Sequence, residues 1–184
     1  MKKTALIIIC CLIAMLAQAQ TEHMKFMGIP LNGTIDQFQV KLQNKDIRHD
    51  VQGSKNLRKG CRLFKGYFAG ELADFYVYYN EKSRNVYRAK AVIERNDVED
   101  CKRLLNRFKD MLISKYPSAE GEEGTQDGYP SYSLGLLDNP FSDFKYMGSI
   151  SLYIGYSMYS YFLHIDYEDY ANSRANQQRI MDDL

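Results

Sequence analysis

The fold is decided by residues 63–94, which read LFKGYFAGELADFYVYYNEKSRNVYRAKAVIE. Aromatic and apolar side chains largely alternate with polar ones here, and a period of two is typical of strands with one buried and one wet face. Gly70-Glu71 separates the first two runs, which predicts a β-hairpin, and a third strand is expected over 86–94. One face of this third strand should carry Tyr87, Ala89, Ala91 and Ile93, and the other Arg88, Lys90 and Glu94.

One helix is predicted before these strands and one after them. The first runs from about 35 to 45, because residues 34–37 read Thr-Ile-Asp-Gln, the pattern of a capping box. Its inward residues are expected to be Ile35, Phe38 and Leu42. The second runs from about 98 to 116, with Asn96 or Asp97 as its cap. Its apolar stripe contains Val98, Cys101, Leu104, Leu105, Phe108, Met111, Leu112 and Tyr116.

The second half of the chain is predicted to contain a loop, three more strands and a polar tail. Residues 118–128 are rich in Gly and Glu and have almost nothing to bury, which is typical of a loop. Strand-like runs resume at 132–137, 149–156 and 161–167. The last two are expected to form a second hairpin, and from about 168 the chain has only a weak helical stripe.

This element order predicts the α+β class: an antiparallel β-sheet with two main helices packed on one face. Runs of strands between helices, without regular βαβ alternation, favour that class over the α/β class. The order also fits two successive units of a helix followed by strands. Residues 20–184 are enough for one hydrophobic core, so we expect a single domain with a polar C-terminal tail from about 168.

Residues 1–19 have the pattern of a removable export signal. Two lysines precede an uncharged apolar run, and Ala17-Gln18-Ala19 places small residues before the expected cut. An uncleaved N-terminal anchor is the alternative, but no basic flank follows the run. Cleavage after Ala19 predicts an exported protein, periplasmic or secreted, without a stable membrane span.

The charge balance argues against nucleic-acid binding. The chain contains 24 Lys+Arg and 23 Asp+Glu, and the predicted signal holds Lys2, Lys3 and no acid. Removing two of 24 cations leaves 22 against 23, a net charge of −1. Proteins that bind nucleic acids usually have a marked basic excess, so no nucleic-acid partner is expected.

Cys61 and Cys101 are the two cysteines that remain after cleavage, and two interpretations compete for them. In an oxidising compartment they could form a disulfide, which would stabilise the fold by roughly 3–4 kcal/mol in the chain-entropy model. Alternatively, Cys101 is a small buried hydrophobic residue, because it falls on the stripe of the second helix.

The sequence offers little catalytic chemistry. His164 stands two residues from Asp166, so a strand would place both on one face, where a carboxylate can orient an imidazole. This pair supports the alternative hypothesis, an envelope-associated hydrolase or lyase. Nucleophile elbows, H-E-x-x-H, phosphate-binding Gly-rich loops and C-x-x-C pairs are absent from the sequence. No catalytic residue, cofactor or metal ligand is therefore predicted.

Two charged clusters are candidate surfaces. Five cations without an intervening acid suit an anionic glycan, a lipid headgroup or an acidic partner, although a solvated loop would have the same pattern. They are Lys55, Arg58, Lys59, Arg62 and Lys65, of which Arg58, Lys59 and Arg62 are the binding candidates. The acidic residues Glu120, Glu122, Glu123 and Asp127 could bind calcium weakly, but their spacing matches no EF-hand loop.

The leading functional hypothesis depends on aromatic content. The chain contains 15 Tyr and 9 Phe, more than one core of this size needs. Since strand side chains alternate, some tyrosines must face away from the helices, and tyrosine is enriched at protein interfaces. The candidate binding residues are Tyr76, Tyr78 and Tyr153. We expect a non-enzymatic binding or interaction module with an envelope protein or glycan as partner, unless these rings are covered by the tail and the 118–128 loop.

Three motifs carry a resemblance to a known family. They are Phe26-x-Gly28-Ile29-Pro30-Leu31-x-Gly33-Thr34-x-Asp36-x-Phe38, Phe64-Lys65-Gly66-x-Phe68-Ala69-Gly70 and Ile165-x-Tyr167-x-Asp169-x-x-Asn172. In these motifs the chain resembles a family of signal-peptide-bearing exported proteins of gut-dwelling Gram-negative bacteria, and the similarity covers most of the mature chain. The resemblance implies a periplasmic or secreted location, and it implies no activity or catalytic residue.

Overall fold

The computed structural model describes residues 23–137 and 146–182. In these ranges it shows an antiparallel β-sheet with four helices, and more residues lie in strands than in helices. The α+β class and the antiparallel sheet are therefore confirmed. The predicted export signal of residues 1–19 lies outside the described residues.

Eight strands form one sheet, and two short ones form a separate ribbon. The strands are β1 (Lys25–Phe26), β2 (Ile29–Pro30), β3 (Arg48–His49), β4 (Cys61–Phe68), β5 (Glu71–Tyr79), β6 (Val86–Arg95), β7 (Glu120–Gln126), β8 (Tyr129–Leu137), β9 (Tyr146–Ser157) and β10 (Ser160–Asp169). The helices are α1 (Ile35–Gln43), α2 (Val51–Lys55), α3 (Val98–Lys115) and α4 (Tyr170–Asp182). The sheet order is β3-β4-β5-β6-β10-β9-β8-β7, with antiparallel neighbours throughout. No described helix combines the length and the apolar character that a membrane crossing requires.

Both predicted hairpins are confirmed, as β4–β5 and β9–β10. Phe64 lies opposite Phe75, and Phe75 opposite Ala91, so β4, β5 and β6 share one buried face. The assignment of Tyr87 to that face is wrong, because Tyr87 is partly exposed and Val86 is buried instead. A bulge near the start of β6 adds a residue there and shifts the alternation.

Both predicted helices are confirmed, as α1 and α3. The Thr34 hydroxyl accepts from the backbone N–H of Gln37, and the Gln37 side chain accepts from that of Thr34, which completes the capping box. The buried residues of α1 are Ile35, Phe38 and Leu42, as predicted. In α3, Leu105 and Phe108 are buried. Met111 is half exposed because it lies at the edge of the apolar stripe.

The loop predicted over 118–128 is wrong, because Glu120–Gln126 form strand β7. Every residue of β7 is exposed, so the sequence contains no apolar alternation from which the strand could be recognised. The strand forms because its backbone pairs with β8 along its whole length. Its glutamates lie at the edge of the sheet, where charged side chains oppose pairing with another chain.

The helices are not confined to one face of the sheet. The Ser54 hydroxyl of α2 accepts from the backbone N–H of Leu63 at 2.9 Å, and Asp50, the cap of α2, pairs with Lys65 at 3.4 Å. Leu63 and its neighbour Phe64 point to opposite faces of β4 and are both buried. Helix α2 covers the other face of β4. The expectation that the helices pack on one face of the sheet therefore does not hold for α2.

The tail predicted from about 168 contains the helix α4, and it contacts the beginning of the described chain. The side-chain amide of Asn172 donates to the carbonyl oxygen of Leu31 at 2.7 Å. Phe26 packs edge-on against Tyr167, with 5.2 Å between the ring centroids. Residues of the first and third resemblance motifs therefore meet in the fold and join its two ends.

The disulfide interpretation of Cys61 and Cys101 is wrong, because both thiols are free and buried. Cys101 belongs to the main core, whereas Cys61 lies on the face of β4 opposite to Phe64. The sheet therefore separates the two residues. Burial raises the pKa of both thiols, that of Cys61 to about 11, so both remain protonated at neutral pH.

Candidate functional site

Polar and aromatic side chains cover the sheet face that lies opposite to the core residues of the same strands. Tyr76 and Tyr78 share this face because side chains alternate along β5. The register continues it across the sheet, since Tyr76 lies opposite Lys90 and Lys90 opposite Asp166. We call this surface the polar face. Its central residues are Tyr76, Tyr78, Arg88, Lys90, Tyr153, His164 and Asp166.

The three tyrosines predicted as binding residues all lie on the polar face, but they do not stand together. Tyr76 and Tyr78 are on β5 and Tyr153 is on β9, so strands β6 and β10 separate them. Burial raises the pKa of all three phenols, that of Tyr78 to about 12. They are therefore neutral at physiological pH and can both donate and accept hydrogen bonds.

An ion pair occupies the centre of the polar face. The Arg88 guanidinium donates to both carboxylate oxygens of Asp166, from Nε at 2.8 Å and from a terminal nitrogen at 2.5 Å. Asp166 is only 6% exposed. The bond to Asp166 raises the pKa of Arg88, which also lies over the Tyr78 ring at 5.3 Å from its centroid. The charge of Asp166 is therefore neutralised by Arg88.

His164 is a neutral, partly buried histidine. Its ring stacks on Tyr153 with 4.5 Å between the centroids and 12° between the planes. Its Nδ1 is buried and has no hydrogen-bond partner within the described part of the chain. Burial lowers the pKa of His164 to about 4, and the charge of Lys90 acts in the same direction. His164 and Asp166 share a face, as predicted, but in the described structure Asp166 bonds to Arg88 and not to His164.

A groove of about 560 Å³ lies on the polar face between β5, β6 and the β9–β10 hairpin. We call it the main groove. Strand β5 contributes Leu72 and Tyr76 to its lining, and the hairpin contributes Tyr156 and Phe162. The other side chains that define its chemistry are Lys65, Asp74, Lys90, Val92, Glu94 and His164. The main groove therefore combines aromatic surface with charged groups of both signs.

Lys90 is a partly buried cation in this groove. Its Nζ lies 5.5 Å from the centroid of the Tyr76 ring, and it forms no ion pair with any described residue. Burial lowers the pKa of Lys90, and the charge of Asp166 partly opposes this effect. Lys65, by contrast, is exposed and pairs with Asp50. Lys90 can therefore receive an anionic group at little additional desolvation of the ammonium.

A second groove of about 260 Å³ lies on the other side of the Tyr153–His164 stack. Hydroxyl groups dominate its lining, which includes Ser131, Ser133, Ser149 and Ser151. The hydroxyl oxygens of Ser133 and Ser151 lie 3.4 Å apart across β8 and β9. This second groove extends the polar face with hydrogen-bonding groups.

The five cations of residues 55–65 do not form one patch. Arg62 and Lys65 lie on opposite faces of β4, where Arg62 pairs with Asp36 at 2.8 Å. Arg58 lies over the ring of Tyr78 at 5.5 Å from its centroid, at the margin of the polar face. The remaining members are Lys55, at the end of α2, and Lys59, which is exposed. Strand alternation therefore divides a cluster that is continuous in sequence.

The acidic residues considered as weak calcium ligands do not converge. Glu122 and Glu123 are consecutive on β7 and point to opposite faces, and Glu123 pairs with Lys109 at 2.8 Å. The other two are Glu120, on β7, and Asp127, in the turn that follows it. Within residues 23–137 and 146–182, no group of three or more His, Cys, Asp and Glu could hold a metal ion.

Arg88 and Lys90 are the residues of this site that the sequence did not single out. Their alternation predicted a wet face of β6, but many strand cations have that pattern. Their significance comes from the neighbours that the register supplies, Asp166 for Arg88 and Tyr76 for Lys90. No family model, curated protein or solved structure matches this chain, so the function is argued from this geometry.

Proposed function

We propose that this protein is a non-enzymatic binding module whose ligand occupies the main groove and presents a carboxylate to Lys90. The observation that carries the proposal is the partly buried Lys90 ammonium without an ion pair in the described structure. A charge that burial has already partly desolvated gains more from an anionic partner than an exposed one does.

We infer that α1 and α3 cover the core face of the sheet and leave the polar face accessible. Phe108 of α3 packs against Phe68 of β4 with 5.5 Å between the ring centroids, and Phe68 points away from the polar face. Phe38 of α1 belongs to the same hydrophobic core as Phe64 and Phe75. The polar face at β5, β6 and β10 is therefore free for a ligand.

The rest of the main groove suits an acidic carbohydrate. Tyr76 and Phe162 present ring surface on which the apolar face of a sugar can pack. Asp74 and Glu94 can accept hydrogen bonds from sugar hydroxyls, and burial raises the pKa of Asp74. We therefore propose a glycan with carboxylate groups as the ligand class.

The hydrolase or lyase alternative has less support. A base needs a free lone pair near the reacting proton, but both carboxylate oxygens of Asp166 already accept hydrogen bonds from Arg88. The pKa of His164 is about 4, so it is a weak base, and its Nδ1 is not oriented by any described group. The pair therefore lacks the linked hydrogen bonds on which nucleophilic and acid–base catalysis depend.

We further propose that binding takes place outside the cytoplasm. The support is the export-signal pattern of residues 1–19, with cleavage after Ala19, and the resemblance to exported proteins of Gram-negative bacteria. An envelope protein that carries the acidic group is the alternative partner. It would have to place an Asp or Glu side chain at Lys90.

NMR titration with D-glucuronate tests the proposal, with D-glucose as the uncharged match. Glucuronate should shift the amide signals around the main groove, including those of Val92 and Gly155. Lys90→Met should weaken its binding by roughly 10–100-fold, the value of a hydrogen bond to a charged group. Lys45→Met removes an exposed cation that does not line the main groove and should leave the affinity unchanged. Equal binding of glucose and glucuronate, or unchanged binding to Lys90→Met, would refute the proposal.

A further inference from the structure

The imidazole of His164 has one nitrogen that the protein encloses and one that is open. Nδ1 is buried and has no hydrogen-bond partner among the described residues. Nε2 also forms no hydrogen bond within residues 23–137 and 146–182, but it is not enclosed. His164 lines the main groove and not the second groove. The ring therefore presents a single nitrogen, Nε2, to a ligand in the main groove.

Gly155 makes room for this nitrogen at the wall of the groove. It lies opposite Phe162 and, because side chains alternate along β9, on the same face as Tyr153. A Cβ atom at residue 155 would come within 2.9 Å of the Nε2 of His164, closer than van der Waals contact allows. The stack on Tyr153, with 4.5 Å between the ring centroids, holds the imidazole in this place.

The surroundings of the ring determine which nitrogen of His164 carries the proton. Burial lowers the pKa of His164 to about 4, so the ring is neutral near pH 7 and has one N–H group. A buried N–H without an acceptor is costly and rare in folded proteins, and an unpaired acceptor is tolerated more often. Nδ1 has no acceptor in the described structure, so the proton belongs on Nε2. His164 is therefore a neutral donor at the main groove.

Lys90 and His164 approach the main groove from different sides. Lys90 leans from β6 toward β5, where its Nζ lies 5.5 Å from the centroid of the Tyr76 ring. His164 leans from β10 toward β9, where its Nε2 lies over Gly155. Val92 is buried opposite His164 on β6 and gives the groove an apolar floor. The two donors therefore suit two different parts of one ligand.

A charged donor and a neutral donor contribute differently to binding. An ammonium group acts as a point charge, so it attracts an anion with little dependence on direction. The N–H of a stacked imidazole has a fixed direction, so it favours a ligand that places an acceptor at one position. A hydroxyl or carbonyl oxygen of a sugar can accept this bond, whereas the ammonium group of an amino sugar cannot.

We propose that His164 is a specificity-determining residue of the main groove, which donates from Nε2 to a hydroxyl or carbonyl oxygen of the glycan while Lys90 binds the carboxylate. The inference rests on the proposed function, because it concerns the same groove and the same ligand class. Tyr153 is a positioning residue, since it acts by holding the ring of His164.

NMR of the ring nitrogens tests the position of the proton without any ligand. A long-range ¹H–¹⁵N spectrum of the free protein near neutral pH should show Nε2 protonated and Nδ1 bare, with the signals assigned by their loss in His164→Phe. Saturating D-glucuronate should then shift the Nε2 signal. A proton on Nδ1, or an Nε2 signal that glucuronate does not move, would overturn the inference.

Three variants separate the N–H group of His164 from its stack on Tyr153. His164→Phe keeps a ring and removes the donor, so glucuronate should bind roughly 3–10-fold more weakly, the value of one neutral hydrogen bond. His164→Gln places an amide N–H near the position of Nε2 and should recover part of this loss. His164→Asn places it near the position of Nδ1 and should not. Unchanged affinity in His164→Phe, or equal affinities of the Gln and Asn variants, would contradict the proposed bond.

The inference and the proposed function fail in different ways. Glucuronate binding that is lost in Lys90→Met but complete in His164→Phe would overturn the inference alone. Absence of glucuronate binding to the wild-type protein would overturn the proposed function and the inference with it. The NMR measurement on the wild-type protein does not depend on the folding of any variant, so the position of the proton is decided in every case.

Discussion

The neutral His164 predicts a specific pH dependence of stability. In the folded protein burial lowers the pKa of His164 to about 4, whereas its ordinary value is 6.5. Between these values the unfolded chain binds a proton that the folded protein excludes. The free energy of unfolding should therefore fall as the pH falls. The contribution is present above the ordinary pKa and is lost as the pH falls through about 4.

The magnitude follows from the size of the shift. Each pKa unit corresponds to about 1.4 kcal/mol, so the shift of His164 sets an upper limit of about 3 kcal/mol. The ring is only partly buried, and solvent screens part of this effect. We therefore expect His164 to account for about 1–2 kcal/mol of the stability lost on acidification.

Urea unfolding of the wild-type protein and His164→Phe, over the window from neutral pH to the pKa of His164, measures this contribution. Phe keeps an aromatic ring against Tyr153 and removes the nitrogens, including the unpartnered Nδ1. Carboxylates titrate in both proteins and cancel in the difference. The stability of the variant relative to the wild type should increase by about 1–2 kcal/mol as the pH falls. A difference that does not change with pH would refute the assignment of His164 as a neutral, desolvated group.

Further measurements test the core, the ion pair, the groove and export. Leu105→Ala leaves a cavity and should cost about 2–5 kcal/mol in chemical denaturation, whereas the exposed Arg107→Ala should cost under about 1 kcal/mol; equal losses would contradict the burial of Leu105. Arg88→Met leaves Asp166 buried without its partner and should cost about 3–5 kcal/mol. Adding Asp166→Leu should recover most of that loss in the same assay, and a failure to recover it would contradict the pairing. Burial lowers the pKa of Lys90, so Lys90 should lose its proton at a lower pH than an exposed lysine, whose pKa is about 10.4. The affinity for glucuronate in NMR titrations should therefore begin to decline below the pH range in which an exposed lysine titrates. Mass spectrometry of the cell-derived protein should show a chain that begins at Gln20, and a mature chain that begins at Met1 would contradict export.

The elements that the sequence predicted correctly depend on contacts within a short segment. The capping box of α1 joins residues three apart, and the stripe of α3 repeats at three and four residues. The β4–β5 hairpin likewise follows from two apolar runs around a short turn. Such patterns are local in the chain, so they are visible before any tertiary contact is known.

The errors arose where the backbone or the neighbouring strand determines the structure. Strand β7 has no buried residue and is held by its pairing with β8, so side-chain patterns predicted a loop. At Tyr87 a bulge shifted the alternation by one residue, and bulges leave no clear pattern in side-chain hydropathy. For Cys61 and Cys101, only the position of the sheet between them excluded a bridge.

For the candidate site, the sequence determined the residue types and the face on which each strand would place them. It predicted that Arg88 and Lys90 share the wet side of β6, because a strand repeats every two residues, and that some tyrosines face away from the helices. Only the tertiary structure decided which strands became neighbours. Strand β10 pairs with β6 although some seventy residues separate them, as the register of Tyr167 with Ala89 illustrates. That register aligns Asp166 with Arg88, leaves Lys90 without an ion pair in the described structure and brings the two hairpin turns to one end of the sheet. Long-range pairing is selected by the burial of the whole core and not by any local pattern, which is why the sequence alone could not assemble the site.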